Sequence, residues 1–96
     1  MVGFEWDPWK SLTNEIKHGV KFEMSEKAFA DPQRQIYIDE LHSVGETRWY
    51  CLGLVDGRVM TVRFVYRMNR IRILGAGYWR KGKRLYEEAS KRNSES

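Results

Sequence analysis

A chain of 96 residues builds one domain around one modest core, so any activity must rest on a single scaffold. Hydrophobic residues at 42%, with four Trp, four Phe and five Tyr, exclude a disordered chain. Seventeen Lys and Arg against 13 Asp and Glu give a net charge of +4, with the acids mostly in the first half and the arginines in the second; that asymmetry points to an anionic partner, although +4 is also ordinary for a solvated surface.

Phe4-Glu5-Trp6 predicts a short strand ended by Asp7-Pro8. Trp9, Leu12 and Ile16 recur at helical spacing from Pro8 to Lys17, and Gly19 stops that helix. Ser25 is placed to cap a second short helix over Glu26–Ala30, closed by Asp31-Pro32. Ile36 to Asp39 is β-branched and aromatic, hence a strand, and Leu41 to Gly45 is a connection. Asp56-Gly57 then supplies the positive φ angles of a two-residue hairpin turn. Pairing Val55 with Arg58 puts Trp49, Cys51 and Gly53 on one face with Met60, Val62 and Phe64, and Arg48, Tyr50 and Leu52 on the other with Thr61, Arg63 and Val65. A second turn at Met68-Asn69 pairs Arg67 with Arg70, which sends Ile71 and Ile73 to the core and Arg72 and Leu74 away from it. After Gly77 a basic stretch leads into a last helix with Leu85, Tyr86 and Ala89 on one side. The expected fold class is α+β: two short N-terminal helices, an antiparallel sheet of about four strands and a C-terminal helix, in one domain over residues 1–92 with a frayed tail over 93–96.

The lone Cys51 excludes an internal disulfide and a cysteine metal cage, and fits a small buried side chain in a protein of a reducing compartment. No apolar stretch approaches the roughly twenty residues of a bilayer span and none resembles a signal peptide, so a cytoplasmic location without membrane contact is expected.

The register has a chemical consequence. Arg48, Arg63, Arg67, Arg70 and Arg72 fall on the sheet face away from the core, with Glu46 pointing the same way. Guanidinium groups match phosphate in fork geometry, and like charges on neighbouring strands destabilise a sheet unless something compensates them. A plain solvated face explains any one of them; the cluster favours binding. Leu52, Leu54, Val59 and Leu74 lie among them, so the last helix or another protein must cover part of this face. His18, His42, Lys17 and Tyr50 add side chains that phosphate chemistry uses. Cleaving RNA without a metal needs a base for the 2′-hydroxyl, cations for the charged phosphorane and an acid for the departing 5′-oxygen, and His42 and Glu46 can share the proton transfers. For His42 taken alone, a loop residue capping the next turn is the plainer role. Two histidines far apart in sequence make a weak zinc motif, and Gly75-Ala76-Gly77 lacks the rest of a nucleotide fingerprint. In Tyr78-Trp79-Arg80-Lys81, rings interleaved with cations fit base stacking; Trp79 is expected in the core, Tyr78 and Arg80 toward a ligand.

From Phe4 to about Glu88 the chain resembles the BrnT family of toxin–antitoxin ribonucleases, which is similar to the wider RelE-like group. The likeness rests on Phe4-Glu5-Trp6-Asp7, Asn14 with Lys17-His18-Gly19-Val20 and Phe22, Phe29 with Asp31-Pro32, His42-Ser43 with Glu46 and Arg48, Gly57-Arg58, Arg72-Ile73 and Tyr86-Glu87-Glu88. The resemblance implies a metal-independent, cofactor-free endoribonuclease that inhibits translation. It also implies a small ribbon-helix-helix antitoxin of the BrnA kind, which wraps the toxin and reaches operator DNA on the pair's behalf. By position Lys17, His42, Glu46, Arg48 and Arg72 match the family's polar positions. One departure stands out: the last strand, which in the family commonly ends Ser-Ala-Arg, ends Gly75-Ala76-Gly77 here.

The expected site therefore has His42 and Glu46 in proton transfer, and Arg48 and Arg72 on the scissile phosphate. Lys17, His18, Tyr50, Arg63, Arg67, Arg70, Tyr78, Arg80 and Lys81 are expected to hold the RNA around it. The alternatives are a weak or inactive homologue acting as antitoxin-binding corepressor, and a non-catalytic RNA-binding module.

Overall fold

Two tight bends set the sheet. Asp56 and Gly57 take φ angles of 52° and 81°, and Met68 and Asn69 take 50° and 63°, the paired positive angles whose twist suits a two-residue hairpin. The computed structural model describes the backbone of residues 3–95 and the side chains of residues 3–92. In chain order the elements are β1 (Gly3–Glu5), α1 (Pro8–His18), α2 (Phe22–Ser25), a 3-10 turn (Glu26–Ala30), β2 (Gln35–Ile38), a second 3-10 turn (Glu40–His42), β3 (Trp49–Val55), β4 (Arg58–Arg67), β5 (Arg70–Gly77) and α3 (Arg80–Glu95). The fold is mixed α+β, with three α-helices and a five-stranded sheet ordered β1-β5-β4-β3-β2.

The expected register holds along the first hairpin, from Val55 opposite Arg58 to Trp49 opposite Phe64. The second pairs Arg67 with Arg70 and Phe64 with Ile73, then jumps to Arg63 opposite Gly75, so Leu74 is an extra, bulged residue. The strand count was short by one, because β1 pairs in parallel with β5, setting Phe4 beside Ile71 and Glu5 beside Arg72. Such a parallel partner arrives from the far end of the chain and has no turn to announce it.

The main core fills one face. Phe22 and Ala28 lie against Cys51, Met60, Val62, Phe64 and Ile73, all essentially out of solvent, and burial of each large side chain contributes about 1.5–3 kcal/mol. Ser25 does not cap a helix as expected; its hydroxyl donates to the Phe22 carbonyl at 2.6 Å within a continuous α2 and 3-10 segment. α1 is capped by Asp7, whose carboxylate accepts from the Trp9 N–H at 2.9 Å, and stops at left-handed Gly19. Its apolar stripe does not face the core: Trp9 and Ile16 are 75% and 77% exposed. The buried side is polar. Asn14 donates to the Val20 and Ala76 carbonyls at 2.9 and 2.8 Å and accepts from the Ala76 N–H at 3.2 Å, while the Ser11 hydroxyl accepts from the Phe22 N–H. These bonds clip α1 to β5.

On the second face α3 covers only the hairpin end, packing Tyr86 and Leu85 on Leu52 and Val59, while Leu54 stays exposed. α3 continues to Glu95 through most of the expected tail, and Ser96 lies outside the described residues. No described helix is long and apolar enough to cross a membrane. Elsewhere on the second face Arg63, Arg67 and Arg70 are exposed, while Val65 among them is fully buried.

Candidate active site

The five arginines do share that second face. Arg63 stands opposite Tyr50 and Gly75, Arg67 opposite Arg70, and Arg72 opposite Val65; Arg48, one residue before β3, lines a hollow with Arg63. They fall into two groups by partner, Arg67, Arg70 and Arg72 with carboxylates and Arg48 and Arg63 in no ion pair among the described residues. At the far end Arg67 grips Glu46 with two bonds of 2.9 Å, Arg72 donates to Glu5 at 2.8 Å, and Arg70 lies 3.4 Å from Glu5 and donates to the Phe4 carbonyl. The Arg67 hydrogen bonds, chiefly, hold the Glu46 carboxyl below its usual range, and Arg67 is pushed up in return. A carboxylate so stabilised makes a poor base. Glu46, Arg67, Arg70 and Arg72 line none of the hollows that His42 enters, while Arg48, which lines one of them, acts together with Arg72 to lower the Glu46 carboxyl further.

Of the other group, Arg63 lines an open cavity of about 420 Å³. Tyr50, Leu52, Thr61 and Arg63 form its floor, Trp79, Lys81 and Leu85 one wall, and Asp39 and His42 the other, with His18 arriving from the end of α1. Both histidines thus reach one cavity. His42 is held by its loop: Ser43 accepts from the Arg48 N–H and donates to the Asp39 carbonyl, closing residues 39–48 on themselves. Within that clasp His42 Nδ1 lies 2.7 Å from Asp39 Oδ2. A carboxylate only accepts, so Nδ1 carries the hydrogen and Nε2 is left to exchange a proton. Two smaller hollows adjoin, one bringing in Lys10 and Arg48, the other Lys10 and Lys17, and Arg63 lines all three.

The bulge and two glycines let Arg63 and Trp79 occupy these places. A Cβ on Gly75 would stand 2.9 Å from the Arg63 guanidinium, and one on Gly77 2.6 Å from the Trp79 indole. The strand end that departs from Ser-Ala-Arg therefore leaves room for a guanidinium and an indole to lie across it. Trp79 is not in the core, contrary to expectation. It is half-buried, meets His18 edge to face at 5.2 Å, and has the Arg63 guanidinium 5.7 Å from its ring. Tyr78 packs partly on the main core under Arg58, and it and Arg80 border a different hollow. Tyr50 stacks on Tyr37 at 5.4 Å, and burial pushes its hydroxyl pKa up.

Sequence reasoning missed Asp39, Lys10 and Thr61. The spacing Asp39-x-x-His42 on a helical turn was a usable signal for the first. Thr61 is 9% exposed, lies on the cavity floor, and its hydroxyl has no hydrogen-bond partner among the described residues. The described residues contain no cluster of three His, Cys, Asp or Glu side chains that could hold a metal.

The sequence profile of the family described as ribonuclease toxin, BrnT, of type II toxin-antitoxin system matches residues 6–82. No curated protein matches the chain.

Proposed function

We propose that this chain, which belongs to the BrnT family of ribonuclease toxins of type II toxin–antitoxin systems, cuts RNA in the cavity between His18 and His42 without a metal. The observation that carries this reading is the meeting of an Asp39-oriented His42, a second histidine and the cations Arg63 and Lys81 on one cavity. His42 Nε2 takes the proton of the 2′-hydroxyl as that oxygen bonds to phosphorus. Arg63 and Lys81 stabilise the negative phosphorane, with Arg48 and Lys10 beside them. The bond from phosphorus to the 5′-oxygen then breaks, and His18 in its protonated form supplies the departing oxygen with a proton. The products are a 2′,3′-cyclic phosphate and a 5′-hydroxyl. Tyr50 and the unpartnered Thr61 hydroxyl offer a base a stacking surface and a polar contact, since a threonine hydroxyl both donates and accepts.

Cleavage of messenger RNA accounts for arrest of translation. The partner is a BrnA-like ribbon-helix-helix antitoxin, through which the pair reaches operator DNA. The test is incubation of purified protein with RNA in excess chelator, followed by end-group analysis. Cyclic-phosphate ends are expected, with loss of about 10²-fold or more in His42→Ala. Cleavage abolished by the chelator, or unchanged in His42→Ala, refutes the proposed mechanism.

A further inference from the structure

A second hollow of about 410 Å³ lies beyond Trp79, between the β3–β4 turn and the first turns of α3. Arg58, Arg80 and Lys83 line it, with Glu87 as its one acid and Tyr78 and Tyr86 as aromatic surface. None of the three cations takes part in an ion pair or hydrogen bond among the described residues, unlike Arg67, Arg70 and Arg72. Like charges gathered without partners repel, and a bound anion relieves that repulsion. The Arg58 guanidinium carbon already lies over Tyr78, 3.9 Å from the ring centre, which gives a base or a phosphate an aromatic-backed guanidinium. Trp79 is common to the walls of this hollow and of the cleavage cavity, so one extended strand can pass from one to the other along the indole.

The geometry points to a second RNA subsite here: Arg58, Arg80 and Lys83 hold a phosphate flanking the scissile one on the same single strand. This rests on the cavity between His18 and His42 being where RNA is cut. It assigns affinity and substrate length to one hollow and chemistry to the other.

The probe is 2′-O-methyl RNA, which binds without being cut, as a dinucleotide and as an oligomer of about eight nucleotides. With Arg58→Ala/Lys83→Ala, binding of the longer oligomer is expected to weaken about tenfold, and its log–log salt slope to shrink by about 0.7, for the one flanking phosphate no longer neutralised. Affinity for the 2′-O-methyl dinucleotide and cleavage of the unmodified dinucleotide stay as in the parent. Lys83→Glu weakens the long oligomer further and Glu87→Gln tightens it; melting curves confirm that each variant folds. An unchanged affinity and salt slope for the longer oligomer in the double variant overturns the subsite. Should the parent protein cut no RNA while the double variant still loses long-oligomer binding, the cleavage reading fails and the binding site stands. Cleavage retained with no effect of the double variant overturns the subsite alone.

Discussion

The proposed chemistry turns on Arg63, because it alone of the five arginines on the second face lines all three hollows around His18 and His42. Removing one preorganised charge stabiliser costs roughly 10²–10³ in rate, and an exposed guanidinium belongs at the lower end, so Arg63→Ala should cut RNA about 10²-fold more slowly. Its fold should survive. Arg63 is in no ion pair among the described residues, and an exposed substitution of this kind moves stability within about 0.5 kcal/mol, a few degrees of melting temperature in a chain of this size. Arg63→Lys keeps the charge and loses the fork, so an intermediate loss of about tenfold is expected. Gly75→Ala tests position without touching charge: the new Cβ would stand 2.9 Å from Nη2 and 3.2 Å from Nε of Arg63, so the head group must shift, again with about tenfold loss. Arg67→Ala is the control, since Arg67 is engaged with Glu46 away from the cavity. The assay is single-turnover cleavage of an end-labelled RNA in chelator, beside thermal melts of each variant. Full activity in Arg63→Ala, or an equal loss in Arg67→Ala, refutes the division of the arginine face into two groups.

Two further predictions concern what holds the site in place. Tyr86 donates to Asp31 at 2.6 Å, and Asp31 also accepts from the N–H groups of Leu54 and Gln33 at 2.8 Å; burial works to raise the Asp31 pKa, but these bonds together with Arg34 bring it below the ordinary value. Burial, with Asp31 nearby, pushes the Tyr86 hydroxyl up to about 12, above the roughly 10 of an unfolded chain. A raised folded pKa contributes stability below about pH 10 that is lost between there and about pH 12, whereas the lowered Asp31 contributes above the unfolded carboxylate range and loses its contribution as pH falls through its folded value. Tyr86→Phe should therefore cost about 1.5 kcal/mol at pH 7, seen as a melting temperature lower by about 6–12 °C, and should flatten the alkaline limb of stability; parallel alkaline limbs in parent and variant count against it. Gly53→Ala should cost about 3 kcal/mol in urea unfolding, because the new Cβ meets the backbone carbonyl of Ala28 and the 3-10 turn has to move. A midpoint equal to the parent's would mean the turn and β3 are not so tightly apposed.

The parts of this fold legible in the sequence are those with local causes. Asp56-Gly57 adopts the turn its residue types favour, and Met68-Asn69 makes the second turn although only Asn69 is suited to its positive φ angles; from these turns follow two hairpins and the faces of their residues up to the Leu74 bulge. The period of three and four in Trp9, Leu12 and Ile16 marks a helix, but not which side faces inward. There the buried positions are Ser11 and Asn14, because α1 meets the backbone of β5 and of the following loop, and free carbonyls and N–H groups are answered by an amide rather than by a methyl group. β1 was visible as a strand, and its place beside β5 was not, since nothing local ties residue 4 to residue 71.

That one hidden pairing also bears on which arginines stay available to the proposed site. Glu5 lies at the start of the chain and Arg70 and Arg72 near its end, so no sequence window joins them. Once β1 docks, the carboxylate stands against both guanidiniums. Glu46 does the same to Arg67. Three of the five arginines are thereby compensated from within, and Arg63, in no ion pair among the described residues, lies toward α3 and the 39–48 loop, where the Leu74 bulge and Gly75 open the strand to it. A sheet face gathers charge by register, but a substrate phosphate is drawn to charge that the fold has not already neutralised. For this chain that criterion favours Arg63 and Lys81, in no ion pair among the described residues, over the three arginines nearest the second turn.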